Sequence, residues 1–336
     1  MIRSRPLVGI IGGLYAAEGR ALLAQHVDLV ELDESGVAPG LPEGLNGIVP
    51  RYPSQVTSEM INESPRLLGI AASGRGVDNI AVDTATDRGV LVANNHGVGS
   101  SSVAEHTMGL MIAMVRGFGR SSGSDLAEAW RTRLSVHRID LASRTLGIVG
   151  CGNVGTEVAK RASLGFGMHV IAYDPYVNAE TLLARGVSKV ESLEQLLGQS
   201  DVVTLHPELN AETEGMFGDR EFRSMKQGSF LINASRGRVV QTAALVQALE
   251  TGHLAGAALD VYDPEPPQFN GPLSRLPNLV LTPHVADMTV EIKRALALST
   301  AGQMLDMLAG RRPANPVNPR AWESFATRRA DISARW

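Results

Sequence analysis

The chain has 336 residues, 44% of them hydrophobic and 20% charged, with a net charge of −4 at neutral pH. That length supports two α/β domains with sizeable cores, and the mild acidity offers nothing to attract nucleic acid or an anionic membrane. The longest apolar stretch, Met108 to Val115, is too short to cross a bilayer, and the one cysteine, Cys151, excludes an internal disulfide and fits a reducing compartment.

The N-terminus lacks the basic, apolar and small-residue succession of a signal peptide, so a cytoplasmic protein is expected. Short apolar runs then alternate with helical segments. Strands are predicted at Leu7–Ile11, Leu29–Leu32, Gly47–Pro50, Leu67–Ala71 and Val90–Ala93, and helices at Ala16–His26, Ser58–Asn62 and Ala81–Asp87. The pattern is that of a small parallel α/β domain. Gly9-Ile-Ile-Gly12-Gly13 has the wrong spacing for a nucleotide turn and reads as a strand end.

Ser100 to Val115 reads as a helix, with Ser102 as N-cap and Glu105 three residues on, a capping-box pattern. It is apolar nearly all round, which predicts burial between domains or in a dimer. Its methionines read as packing and its His106 as structural. Ser121 to Asp140 is polar and arginine-bearing, a bridge to the second domain.

Leu146 to Val149 predicts a buried strand running into Gly150-Cys-Gly152-Asn153-Val154-Gly155. A helical segment from Thr156 to Leu164 comes next, then a second strand, His169 to Tyr173, ending in Asp174. Strand, Gly-x-Gly-x-x-Gly, helix, strand and acid at this spacing form a dinucleotide fingerprint. Gly150 permits the tight turn, Gly152 lets backbone approach a pyrophosphate, and Gly155 lets helix pack on strand. The helix N-terminus attracts the phosphates. Asp174 is suited to accept from ribose hydroxyls and to repel a 2′-phosphate, so NAD is expected rather than NADP. Cys151 fills the turn.

Further strands are predicted at Asp201–Leu205, Gly228–Asn233, Ala257–Val261 and Leu279–Thr282, with helices at Thr242–Thr251 and Val290–Leu308. The tail from Arg311 holds three prolines and ends at Trp336; it is expected either docked or partly mobile. Three polar stretches follow strands, where open α/β sheets bind ligands: Ile232 to Arg238, Ala258 to Pro267 and Thr282 to Thr289. They supply a guanidinium that pairs with a carboxylate, a carboxylate, and an imidazole that moves a proton near neutral pH. No metal site is expected.

With Gly76-Val-Asp-Asn79, Ser102-Val-Ala-Glu-His-Thr107, the glycine turn and these three stretches in view, the chain resembles the D-isomer-specific 2-hydroxyacid dehydrogenases, and closely the phosphoglycerate dehydrogenase branch. The resemblance implies an α/β fold of two Rossmann-like domains with doubly wound parallel sheets and the active site in the cleft between them. Residues 1–101 with 290–336 would form a flavodoxin-like substrate domain, and 102–289 the NAD domain. It implies interconversion of a 2-oxo acid and a D-2-hydroxy acid. Arg236 would hold the carboxylate, His284 act as acid and base, Glu265 pair with His284, and NADH deliver hydride. Asn153 and Val154 would lie at the pyrophosphate, Ala234 and Asp260 at the nicotinamide, and His206 and Thr213 over the adenine and ribose.

In the substrate loop, Ala72-Ser73-Gly74-Arg75-Gly76, the amides of Arg75 and Gly76 would bind the carboxylate. Arg51 matches the position that contacts the phosphate in phosphoglycerate dehydrogenases. If Arg51 and Arg75 both face the cleft, the substrate carries a second anion. Departures from the family are His96, where proline is common, and Asp287, where glycine is common. Glu265 argues against a formate enzyme, which carries Gln there. A phosphite dehydrogenase would keep the Arg, Glu and His set. The alternatives retained are a glyoxylate or hydroxypyruvate reductase and a non-catalytic, NAD-sensing corepressor-like protein. The expected partners are a small 2-oxo or 2-hydroxy acid and a second copy in a homodimer, with Arg131 and Arg133 reaching towards the partner's site. No nucleic acid and no membrane are expected.

Overall fold

A computed structural model describes residues 5–33, 41–118 and 126–333. Part of the polar bridge (121–125) and Trp336 lie outside the described residues. The chain forms two compact units, 1–98 with 289–336, and 99–288.

The first unit carries β1 (Leu7–Ile11), β2 (Asp28–Leu32), β3 (Leu45–Pro50), β4 (Gly69–Ala71) and β5 (Leu91–Ala93), all parallel, in the order β2-β1-β3-β4-β5. Strands buried on both faces explain why β4, β5 and β3 from Gly47 onward read as unbroken apolar runs. Helices Ala17–Ala24, Ser58–Asn62 and Val82–Asp87 join the strands, and Val290–Leu308 returns to pack on β3, β4 and β5 through Met304 and Met307. Register places Ile11 opposite Pro50, so Gly12 and Arg51 follow side by side at one edge of the sheet.

The described part of the tail, to Ser333, is docked and ends in a helix. Residues Trp322–Ser333 form a helix that buries Phe325 and Ile332 in the core of this unit. Arg328 donates to the carbonyls of Leu67 (2.8 Å) and Pro65 (2.9 Å), which closes the turn before β4.

The second unit carries β6 (Thr145–Val149), β7 (His169–Tyr173), β8 (Ser188–Lys189), β9 (Val202–Leu205), β10 (Ser229–Asn233), β11 (Leu254–Leu259) and β12 (Leu279–Leu281). They form one parallel sheet in the order β12-β11-β10-β9-β6-β7-β8. The helix expected with Ser102 as its cap begins at Ser100 instead, because Gly99 adopts a left-handed turn (φ 87°) and serves as N-cap. Glu105 pairs with Arg161 and accepts from the Ser101 hydroxyl (3.3 Å) rather than from the backbone of the helix end. The apolar Ser100–Val115 helix is also explained within this unit. It packs on the helix Asn153–Phe166 and on β10, β11 and β12, with Met108, Met111 and Met114 in the core. Its hydrophobicity therefore needs no second chain. Among the described residues no helix is long and apolar enough to cross a membrane.

Candidate active site

The registers of the second sheet align its strand ends. Val149 lies opposite Tyr173 and Leu205, Asn233 opposite Leu205 and Leu259, and Leu259 opposite Leu281. The next residues of each strand are therefore Gly150, Asp174, His206, Ala234, Asp260 and Thr282, a row along the carboxyl edge of the sheet. In a parallel sheet that edge is where ligands bind.

Gly150 has φ 84°, and a Cβ there would stand 2.8 Å from the backbone nitrogen of Pro207. Only glycine brings the turn so close to the β9 loop. A Cβ on Gly152, the residue before the Asn153–Phe166 helix, would meet nothing within 4 Å. The turn thus leaves an open cradle over a helix N-terminus, where Asn153, Val154 and Gly155 present the first-turn amides. The residues present fit a dinucleotide pyrophosphate.

Asp174 does more than its spacing implied. It is 8% exposed, its Oδ2 accepts from Cys151 N (2.8 Å), and its Oδ1 accepts from Tyr176 N and Val177 N. Oδ2 retains a lone pair for a ribose hydroxyl. Arg185, unremarked in the sequence, donates to the carbonyl of Cys151 (2.8 Å) and to Thr156 (3.0 Å), clamping the turn from outside. Burial pushes the Cys151 thiol above its ordinary value, as befits a turn filler and not a reactive group. Replacing Asp174 by Ala is expected to weaken NADH binding about tenfold, one charge-assisted hydrogen bond, while NADPH binding weakens less. Fluorescence titration with both cofactors measures the change in preference.

His206 turns inward, its Nε2 2.9 Å from Thr204 Oγ1. Thr213 donates to the carbonyl of Glu208 (2.5 Å) and accepts from Asn210 N, closing its own loop.

Arg236, Glu265 and His284 come from the loops after β10, β11 and β12. Asn233, buried at the end of β10, donates to the Arg236 carbonyl (2.9 Å) and accepts from the Ser235 N–H and hydroxyl. Gly237 follows because a Cβ there would overlap the backbone of Tyr262, so the arginine loop rests directly on the glutamate loop. Glu265 is held at both oxygens: Tyr262 N donates to Oε1 (3.0 Å) and His284 Nδ1 to Oε2 (2.7 Å). An ionised carboxylate only accepts, so Nδ1 carries the hydrogen and Nε2 is the nitrogen turned to other partners.

His284 has φ 53°, a left-handed backbone that costs a non-glycine residue on the order of 1–3 kcal/mol and persists only where the surroundings enforce it. Burial lowers its pKa, but the hydrogen bond and charge of Glu265 outweigh burial and hold it above the ordinary histidine value, against a smaller opposing push from Arg236. Asp287 is a second carboxyl in the same field, pushed up by burial and drawn back by His284. Asp260 is wholly buried. Burial would raise its pKa, but hydrogen bonds from His106, Thr282, Val285 and Ala286 lower it overall.

In the first unit, the parallel strands bring Arg51, Ser73, Gly74, Arg75 and Gly76 to one sheet edge. Arg51 lies over the Tyr15 ring, 5.8 Å from its centroid. The carbonyls of Gly74 and Arg75 accept from Asn95 N (3.0 Å) and Asn94 Nδ2 (2.7 Å). Trans peptide planes therefore aim the following N–H groups, those of Arg75 and Gly76, away from the asparagines. Ser73 Oγ is buried with no partner among the described residues. Arg133 folds back onto Trp130, 4.3 Å from its ring centroid.

Residues 108–286 match the family model described as D-isomer specific 2-hydroxyacid dehydrogenase, NAD binding domain. The chain belongs to this family, and its cofactor is NAD. It is 40% identical over 271 residues to a D-3-phosphoglycerate dehydrogenase of Archaeoglobus fulgidus, covering 81% of this chain and 51% of that protein. It is 37% identical over 280 residues to a glyoxylate reductase of Thermococcus litoralis, covering 82% and 84%. The crystal structure of a glyoxylate reductase from Paecilomyes thermophila matches with a TM-score of 0.84 at 30% identity, covering 94% and 99%. The chain thus spans about half the length of the phosphoglycerate dehydrogenases it matches.

Proposed function

We propose that this chain is an NAD-dependent oxidoreductase that interconverts a 2-oxo acid and a D-2-hydroxy acid. The observation that carries the reading is the Glu265–His284 pair, 2.7 Å apart, standing with Arg236 at the same sheet edge as the glycine turn. Arg236 binds the substrate carboxylate and polarises the neighbouring carbonyl. His284 Nε2 gives a proton to the carbonyl oxygen in reduction and takes it from the hydroxyl in oxidation. Glu265 fixes the Nδ1–H tautomer and stabilises the imidazolium. Gly150, Gly152, Asn153, Val154 and Gly155 hold the pyrophosphate, Asp174 the ribose, and Ala234 and Asp260 the nicotinamide side; His206 and Thr213 lie towards the adenosine. When bound, the reduced cofactor supplies hydride to the 2-carbon.

The substrate is a doubly anionic 2-oxo acid such as 3-phosphohydroxypyruvate. Arg51 beside Tyr15 supports this, with Arg75 and the Ser73–Gly76 amides on the same edge, as do relatives named D-3-phosphoglycerate dehydrogenase. A second reading, glyoxylate or hydroxypyruvate reduction, is supported by relatives named glyoxylate reductase at 37% and 30% identity. NADH oxidation against pyruvate, glyoxylate, hydroxypyruvate, 3-phosphohydroxypyruvate, sulfopyruvate and oxaloacetate decides. A dianion preferred at least tenfold in kcat/KM is the expected result, and preference for a monoanion overturns it. Silence across the panel with NADH bound returns the reading to a sensor.

The protein works as a homodimer, a state supported by Phe118, Trp130 and Leu134 standing exposed on the second unit; light scattering checks it. A reducing compartment such as the cytoplasm suits its one buried thiol.

The raised His284 pKa fixes the sign of a pH effect. Reduction needs imidazolium, so kcat/KM for the oxo acid holds at low pH and falls as pH rises through the His284 value; oxidation does the reverse. Glu265→Gln removes the raising influence and leaves burial. Both limbs are expected to move to lower pH, as pH–rate profiles in the two directions will register.

A further inference from the structure

The loop that carries His284 is wrapped around one carboxylate. Asp260 accepts from Thr282 Oγ1 (2.6 Å) and Val285 N (3.0 Å) at Oδ1 and from Ala286 N (3.0 Å) at Oδ2. Its backbone carbonyl accepts from His284 N (2.8 Å). These bonds bracket His284 on both sides and hold its left-handed backbone.

One member of this network comes from a distant element. His106, on the Ser100–Val115 helix, places Nε2 3.0 Å from Thr282 Oγ1 and 3.5 Å from Asp260 Oδ1. The one hydroxyl proton of Thr282 is committed to Asp260, so its oxygen offers His106 only a lone pair. Nε2 of His106 must then carry hydrogen. A histidine–threonine–aspartate chain thus stands behind the histidine–glutamate pair of the site.

We propose that His106 is a positioning residue for His284. Through its Nε2–H and the Thr282 hydroxyl it fixes the Asp260 carboxylate, and with it the loop that aims the acid–base imidazole. This rests on the role given to His284 above. The charged groups around that imidazole are Glu265, Arg236, Asp260 and Asp287. A loosened loop separates it first from Glu265, the partner that holds it by hydrogen bond.

The test compares His106→Leu, which removes the donor, with His106→Gln, which keeps an N–H within reach. Ring-nitrogen NMR of the cofactor-free protein follows the His284 titration, and steady-state kinetics follow turnover. Leu is expected to lower kcat about 10–100-fold with KM little changed, the scale of losing an orienting partner behind a functional histidine. It should also move the His284 titration to lower pH, and Gln should restore both. Equal damage by Leu and Gln, or wild-type titration and kcat in Leu, overturns the proposal. If Leu does not fold, Thr282→Val must produce the same titration shift, and a wild-type titration there overturns it too. Should the wild-type protein reduce no 2-oxo acid, the enzymatic reading fails by itself. The NMR comparison still decides whether His106 holds the His284 loop.

Discussion

Replacing His284 by Ala is expected to lower kcat by about 10²–10⁴-fold in both directions while the NADH dissociation constant stays within a fewfold of wild type. The glycine turn and Asp174 are built by β6, β7 and the helix between them, with no contribution from the β12 loop. Removing the imidazole leaves that half of the sheet intact. The loss should be similar in kcat and kcat/KM, because a proton donor contributes chiefly when the alkoxide develops. Stopped-flow NADH oxidation and fluorescence titration separate the two quantities. Wild-type turnover in the variant would remove His284 from the chemistry.

Arg236→Ala should act differently, raising KM for the oxo acid as well as lowering kcat, for a combined loss of about 10²–10³ in kcat/KM. In the proposed mechanism the arginine meets the substrate carboxylate in both ground and transition states, so its energy should appear in both parameters. Arg236→Lys should recover little, since an ammonium cannot offer the two parallel donors of a guanidinium. A second signature comes from electrostatics: Arg236 opposes protonation of His284. The residual reductase activity of Arg236→Ala should therefore persist to higher pH than that of wild type. A variant damaged only by misfolding would show no such displacement.

What could be read from the sequence was what is local. The run from Thr145 to Asp174 is continuous in the chain, and its glycine spacing, apolar strands and terminal acid all report on geometry within a few residues of themselves. The same holds for the helix Val290–Leu308, whose limits fall where they were expected. The cap of the Ser100–Val115 helix escaped because the serine pattern outweighed a glycine one position outside it. Its burial was legible, but not the surface it packs on, since a helix apolar all round does not say which neighbour covers it. The partners of the reactive groups were beyond reach for another reason. Asn233 beneath Arg236, Tyr262 N on Glu265, and His106 behind Asp260 are set by how loops from separate strands meet. The pairing of Glu265 with His284 was expected only through family resemblance.

The division of the chain has a consequence for its synthesis. Residues 99–288 are contiguous, so everything that unit packs against itself is synthesised before Thr289 is added. The other unit is assembled from both ends of the chain. Its five strands are complete by Ala93, yet the Val290–Leu308 helix that covers β3, β4 and β5 comes nearly two hundred residues later. Closing so long a loop adds little to the equilibrium cost, which grows only logarithmically with length, but it imposes an order of events. The nucleotide-binding unit can mature first and act as the tether that brings the two ends of the chain together.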